Sequence, residues 1–547
     1  MILSIDQNCH SLWDVLPKLQ ALTSGGRAVR HFVEDIDVAF TAMGAEANQP
    51  PSAPGNVLRL ALERFHRSGG ADWGAAMFYS EFLGRLPLEI RDLEPMIGMK
   101  VKAAARQLGR SVDDLYDEFS PGDNWQLIGS SYIGGENWHR TIGDLGVTDM
   151  ADFLRERMHK AQADMLRRFP AKRSQQRIAE WFAGERKLLE GLLRRHAAGR
   201  LVELYRDWLC HYLDGQGPRV EVAFASQRFA CGADAGLTAL LELFARDYDT
   251  AAALYNEALA ETGSPLRPLR TADGELPFFA TLERCGHLAR TGVYLAGGEL
   301  RIESPGGPGF KPGAGGRLPL ADLAAAGVRS LAGKAIMLTI QVRMPPDGAP
   351  LALPYRGSLY MPTSARLAEK LAAAGLLPGR LHAVVRVRFR LLDRLRSLET
   401  PIRLPEHLAA SFGAEEVPAR RLGEGYEALA AEAAARLESF RDGAAREQWQ
   451  NRAFPEIFAQ ITRLDASRRE LAATEPKGQT IRQIGRQVKA LELKLLDETV
   501  RCAWRDWQVS QVDYYDSRGA ILPWCVALGG EDFYNQVVEQ AEVYEEP

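Results

Sequence analysis

Between residues 343 and 360 the chain gathers five side chains suited to holding an anion: Arg343, Tyr355, Arg356, Ser358 and Tyr360. Guanidinium groups grip carboxylates and phosphates through paired, charge-assisted hydrogen bonds, and hydroxyls add neutral donors. Further on, Arg386, Arg388 and Arg390 alternate within Val384-Val-Arg-Val-Arg-Phe-Arg390. Alternate residues of a strand share one face, so three guanidiniums stack there. Such a face is either a charged edge protected from pairing or, with Arg343 and Arg356, a cradle for a phosphate or carboxylate.

A second constellation lies in Gly134-Gly-Glu136-Asn-Trp-His139-Arg140, where a carboxylate, an imidazole and a guanidinium fall within five residues. Histidine passes protons near neutrality, and Glu136 can orient His139 or act as the base itself. The plainer alternative is a turn carrying a surface histidine.

The elements that must position these groups follow from periodicity. The apolar run Ala335–Arg343 reads as a strand, followed by the loop at Pro345-Pro-Asp-Gly348, a helix, and a second strand at 384–390. That order is one crossover unit of a parallel α/β sheet, whose ligands sit where strand ends meet loops. Residues 11–45 and 55–120 read as helices broken by Gly25-Gly26, the Pro-rich link 48–55, Pro87 and Pro95, and 149–215 is helical again. A brief strand at Val220–Phe224 and a helix over 235–262 precede an alternating stretch, 275–302, that predicts a small antiparallel sheet turning at Gly297-Gly298. Residues 306–316 read as a linker. The stretches 421–474 and 479–509, separated by Pro476-Lys-Gly478, suit an antiparallel helical hairpin or short coiled coil. The closing segment around Ile521–Cys525 is expected to pack back on the body.

At 547 residues, 46% hydrophobic and 25% charged, the chain is ordinary globular material with mass for several cores. A net charge of -4 removes the basic excess of a general nucleic-acid binder. No stretch reaches the roughly 20 apolar residues of a membrane span, so a cytoplasmic protein is expected. Six cysteines without a Cys-x-x-Cys pair suggest neither a disulfide framework nor a zinc site, and no metal is expected. Walker, His-Glu-x-x-His, EF-hand and Gly-x-Ser-x-Gly patterns are absent.

Several segments together resemble the cysteine-adding enzymes of bacillithiol synthesis. Leu201-Val-Glu-Leu-Tyr205 through Leu241-Glu-Leu-Phe244 is similar to that family's helix, short strand and second helix, and Leu276-Pro-Phe-Phe279 with His287 and Arg290 to its small sheet. Gln341-Val-Arg343 followed by Leu353-Pro354, Gly357-Ser358 and Tyr360 resembles its Arg-Pro, Leu-Pro, Gly-rich turn and later Tyr. The chain departs from the family in lacking Gly-Gln-Gln-x-Gly, Thr-Gly-Pro and the Trp…Glu-Asp-His run. The resemblance implies a Rossmann-like core with a helical hairpin and a ligase-like addition of an amino acid, cysteine in that family, to an amine.

The expectation is therefore an α/β protein: a largely helical part over 1–215, a Rossmann-like parallel-sheet core with its small antiparallel sheet over 216–420, a helical hairpin over 421–509, and a C-terminal segment, 510–547, returning to the core. Its function reads as a biosynthetic enzyme joining small polar, anionic metabolites, with Glu136 and His139 catalytic and the arginine, tyrosine and serine set binding substrate. A nucleotide is the candidate cofactor, held without a P-loop. The competing reading is a non-catalytic interaction protein that homodimerises through the helical hairpin.

Overall fold

The computed structural model describes residues 1–5, 12–37, 81–86, 94–112, 139–214, 219–231, 235–264, 266–284, 286–334, 336–358, 360–474 and 478–546. Its strands, in chain order, are β1 (Ile2–Ile5), β2 (Val29–Val33), β3 (His139–Arg140), β4 (Val220–Phe224), β5 (Glu275–Arg284), β6 (His287–Ala296) and β7 (Glu299–Ile302). There follow β8 (Gly309–Phe310), β9 (Val328–Gly333), β10 (Leu351–Pro354), β11 (Val384–Arg388), β12 (Pro401–Arg403), β13 (Glu416–Pro418) and β14 (Glu542–Glu546). The protein is mixed α/β. It divides into two compact units, one made of 1–82, 123–394 and 515–547, the other of 83–122 and 395–514.

The first unit is built on a mixed six-stranded sheet in the order β14-β11-β10-β1-β2-β4. Five of its strands run parallel, and β14 lies antiparallel on β11. Central parallel strands are covered on both faces, so they read as continuous apolar runs rather than alternating ones. Ile2–Ile5 is buried along its whole length, and at its centre Ser4 Oγ and His31 Nδ1, register partners on β1 and β2, share a hydrogen bond of 3.0 Å. The strand sequence reverses direction across the sheet between β1 and β10. Beyond β1 the chain enters helix Leu12–Ser24, and beyond β10 it enters helix Met361–Ala373.

A second sheet in the same unit runs β8-β7-β6-β5-β9, with β3 added to β6. The alternation over 275–302 does form antiparallel strands, and Gly297 and Gly298 make the tight turn with φ of 61° and 75°, values that cost glycine nothing. Phe279 and Ala332 of this sheet share an apolar cluster with Leu3, Ile5, Phe32, Leu351 and Val384 of the mixed sheet.

Two expectations need correction. Residues 336–341 form a helix, all six side chains buried, because a short apolar run fits a buried helix as well as a strand. The strand comes one segment later, as β10, and the crossover runs β10, helix Met361–Ala373, β11. Likewise the helical reading of 11–45 is interrupted by β2, which the sequence places directly after the Gly25-Gly26 turn.

The second unit is mainly helical. Helix Gln479–Ser510 packs against Ala419–Ser439 and Pro455–Thr474, and β12 and β13 form a small antiparallel pair. Phe440 is fully buried with Val500, Ala503 and Trp504, its ring 4.5 Å from Trp449, which in turn lies 5.7 Å from Phe454. Among the described residues no helix is long and apolar enough to cross a membrane.

Candidate functional site

Where the strand order of a parallel sheet reverses, the carboxyl ends of neighbouring strands leave a crevice in which ligands bind. In the mixed sheet that edge carries the residues after β11, β10, β2 and β4. Its two halves differ in chemistry.

The half at β10 and β11 holds most of the basic residues singled out above, and their charges are answered from within the unit. Arg386, 6% exposed, donates to the carbonyls of Pro354 (3.1 Å) and Gly357 (2.8 Å) and pairs with Glu546 at 2.8 Å. Arg388 lies 4.4 Å over the Tyr355 ring and pairs with Asp516 at 3.0 Å. Arg390 pairs with Asp393 and Glu542. The strand is not an edge, since β14 covers it, so the arginines hold neighbouring segments together. Asp516 is fully buried, also accepts the Leu392 N–H at 3.0 Å, and its main-chain carbonyl accepts the Phe389 N–H at 2.7 Å. Burial pushes its carboxyl up to about 6 in spite of Arg388.

The turn after β10 does reach the crevice. The Tyr355 N–H bonds to the Val387 carbonyl (2.8 Å), and the Arg356 N–H to Ser517 Oγ (3.4 Å). Gly357 passes so close to Pro354 that a β-carbon would lie 2.6 Å from its Cδ. Ser358 takes a left-handed φ of 61°, and its Oγ is buried with no hydrogen-bond partner among the described residues. Tyr360 turns instead to the apolar cluster that includes Leu367 and Leu371.

Arg343 stands apart from them. Its Nε donates to the His382 carbonyl at 2.7 Å and its own carbonyl accepts the His382 N–H at 2.9 Å, which fixes it at the amino ends of β10 and β11. Glu136 lies outside the described residues. For His139 only the backbone is described; it pairs with Arg290 across β3 and β6.

The other half of the edge was not visible as a site in the sequence. Directly after β2 come Glu34, Asp35 and Asp37, three carboxyl groups in four residues. Glu34, 6% exposed, folds back so that its Oε1 accepts the N–H groups of Ile36 (2.8 Å) and Asp37 (2.9 Å). Burial, then the charges of Asp37 and Asp35, hold its carboxyl well above the ordinary glutamate range. Asp35 accepts the N–H of Ser226 at 2.7 Å and its hydroxyl as well, and burial pushes it up to about 6. Asp37 pairs with Arg290, whose guanidinium stacks 3.9 Å over Phe279.

This acidic turn is clamped by the segment after β3. The Gly143 N–H reaches the Asp35 carbonyl and the Ile142 N–H that of Asp37, at 2.8 and 2.9 Å. A β-carbon on Gly143 would sit 2.8 Å from the Asp35 oxygen, so only glycine allows the approach. The signal that could have revealed the turn is Val29-Arg-His-Phe-Val33, rich in strand formers, ending abruptly on Glu-Asp-Ile-Asp.

Chemically, a buried carboxyl group lifted well above its ordinary range by burial and by two neighbouring carboxyls holds its proton more tightly than a free glutamate, the setting in which proton-transferring carboxyls are found. Among the described residues no three histidine, cysteine, aspartate or glutamate side chains converge to hold a metal ion. No family model matches the chain, and no curated protein matches it.

Proposed function

We propose that this chain is a biosynthetic enzyme that joins small polar building blocks at the carboxyl edge of its mixed sheet, with Glu34 as the group that carries the proton. The observation behind this reading is the Glu34 carboxyl itself: it is buried, hydrogen-bonded by its own turn, and lifted by two neighbouring acids. Environments that shift carboxyl groups this way concentrate at catalytic sites.

The strand order, with its reversal between β1 and β10, supports a Rossmann-like core in which a nucleotide could lie without a P-loop. The resemblance to the cysteine-adding family points to carbon–nitrogen bond formation. An amine nucleophile must shed a proton, and the Asp35 carboxyl of the same turn, at about 6, is the neighbour able to take it. The turn Tyr355–Ser358 is the candidate contact for an anionic group. We assign the long helices of the second unit to a structural hairpin arm rather than a dimer interface, because Phe440, Trp449 and Phe454 meet one another inside the unit.

Thermal-shift screening with nucleotides, amino acids and sugar phosphates tests the reading, since a ligand at about 100 times its Kd adds roughly 2.7 kcal/mol. At least one should shift the wild type, and the shift should change in Glu34→Gln. If none of them shifts the protein, or every shift is identical in Glu34→Gln, the acidic turn is not the site.

A further inference from the structure

We propose that the second unit carries a binding pocket for a small planar aromatic anion. The inference does not depend on the function given to the sheet edge. A cavity of about 760 Å³ is lined by Met96, Met99 and Trp507, with Glu94, Lys100 and Arg441 among its polar groups. That volume falls within the roughly 300–1,000 Å³ of small-molecule sites, which combine an apolar and aromatic lining with a few polar groups. Every lining residue belongs to the second unit.

The lining favours a flat aromatic body. Met96, Met99 and Trp507 pack against the buried cluster of Val101, Phe440, Val500 and Trp504, yet none of the three is itself fully buried. Each therefore keeps part of its surface for a ligand. An indole offers a face for stacking, and methionine sulfurs make favourable contacts with aromatic rings on side chains that flex to fit them.

The charge of the ligand follows from Arg446. Gly98, between the two methionines, holds a left-handed φ of 72°, and a β-carbon there would collide with the Arg446 guanidinium, which lies directly against this wall. Its Nη1 donates to the Phe440 carbonyl at 2.6 Å, and among the described residues no carboxylate lies within ion-pair distance of it. The acids nearby are engaged elsewhere. Glu94 holds Lys100 at 2.7 Å and accepts the Val101 N–H at 3.2 Å, Glu438 pairs with Arg441 at 3.2 Å, and Asp442 accepts the Ala445 N–H at 2.7 Å. A carboxylate on the ligand would give Arg446 the partner it lacks, through a charge-assisted hydrogen bond.

The test is NMR on the full-length protein with isotope-labelled methionine methyl groups, the Met96 and Met99 signals being assigned through Met96→Leu and Met99→Leu. Added 2-naphthoate should shift both signals in a saturable way, because a ring beside a methyl group displaces its resonance, while the remaining methionine signals stay in place. The ammonium compound 2-naphthylmethylamine, the same ring with the opposite charge, should bind at least about fivefold more weakly, and Arg446→Gln should weaken naphthoate binding by a similar factor, the upper value for a charge pair at a partly exposed site. If neither signal moves with 2-naphthoate up to its solubility limit, the proposal is overturned. Equal binding of the ammonium compound overturns the requirement for an anion. An Arg446→Gln protein whose remaining methionine signals are unchanged and which binds naphthoate as tightly as the wild type overturns the role given to Arg446. The two naphthyl compounds are compared on the wild type, so that arm decides the matter even where Arg446→Gln fails to fold.

Discussion

Asp35, after β2, and Asp516, held at the end of β11, stand at the same edge of the same sheet with β1 and β10 between them, and burial lifts both carboxyls to about 6. Their partners differ. Asp516 is answered by a full positive charge on Arg388, whereas Asp35 is answered by the neutral N–H and hydroxyl of Ser226. Around Asp516 every basic residue of β11 has a carboxylate of its own. Around Asp35 the acids crowd one another, and burial together with Asp37 and Asp35 lifts Glu34 well above the ordinary glutamate range. The same physical penalty thus accompanies cohesion in one half and, in the function proposed above, proton transfer in the other.

The sharpest way to break this contrast is to remove the charge that answers Asp516. Arg388→Met should cost about 3–5 kcal/mol at neutral pH, because an uncompensated buried carboxylate remains. Adding Asp516→Asn should recover part of the loss, so the double variant falls short of the sum of the singles. Urea midpoints measure both. A loss under about 1 kcal/mol for Arg388→Met would mean the basic half is not cohesive and is open to ligand after all.

The acidic half predicts a pH signature of similar size. A carboxyl raised from 3.8 to about 6 keeps its proton longer in the folded state than in the unfolded chain. Its stabilisation is complete below about pH 4 and is lost as pH rises through 6, a change on the order of 3 kcal/mol. Asp35→Asn should therefore flatten stability between pH 4 and 6 by this share, while Arg388→Met steepens it by lifting Asp516 further. Unchanged slopes in both variants would place the titration elsewhere.

How much of this was legible depends on whether the deciding property was local. The antiparallel strands over 275–302 alternate, and Gly297-Gly298 announces its own turn, so that sheet could be read directly. Residues 355–358 do follow a strand, but that strand is β10, inside the stretch expected to be loop, and the apolar run expected to be the strand holds helix Ile336–Gln341. Ile2–Ile5 and Val29–Val33 escaped because short central strands buried on both faces lack alternation and adjoin helices. Glu34, Asp35 and Asp37 escaped for a deeper reason. Three acids in four residues normally mean solvent, and contacts with Gly143, Ser226 and Arg290, distant in sequence, help to turn them inward. The arginines misled in the opposite sense: their alternation is real, but Glu546, Asp516 and Glu542, which answer them, lie more than a hundred residues away.

Arg343 sharpens the comparison from outside the edge. Held to the His382 carbonyl at the amino ends of the strands, it should contribute to stability and leave binding alone. Arg343→Ala is expected to lose about 1.5–3 kcal/mol, the net worth of a hydrogen bond from a charged donor. Titration calorimetry with whichever metabolite shifts the wild type should return the same Kd. A Kd weakened tenfold or more would bring Arg343 back into the binding set.

The smallest effect separates structure from function most cleanly, at Ser358. A non-glycine residue at φ 61° carries a backbone cost of roughly 1–2 kcal/mol, and its buried Oγ gains no hydrogen bond from the described residues to offset it. A serine kept under such strain at the carboxyl end of a central strand is a candidate for contact with ligand. Ser358→Gly should then raise stability by up to about 1 kcal/mol, glycine's greater freedom in the unfolded chain cancelling part of the relief, and at the same time weaken the ligand-induced thermal shift. Stabilisation with an undiminished shift would make the serine a tolerated oddity of the turn. Destabilisation would mean that the hydroxyl holds the turn, and the binding role of the β10 side would then fall to Tyr355 and Arg356.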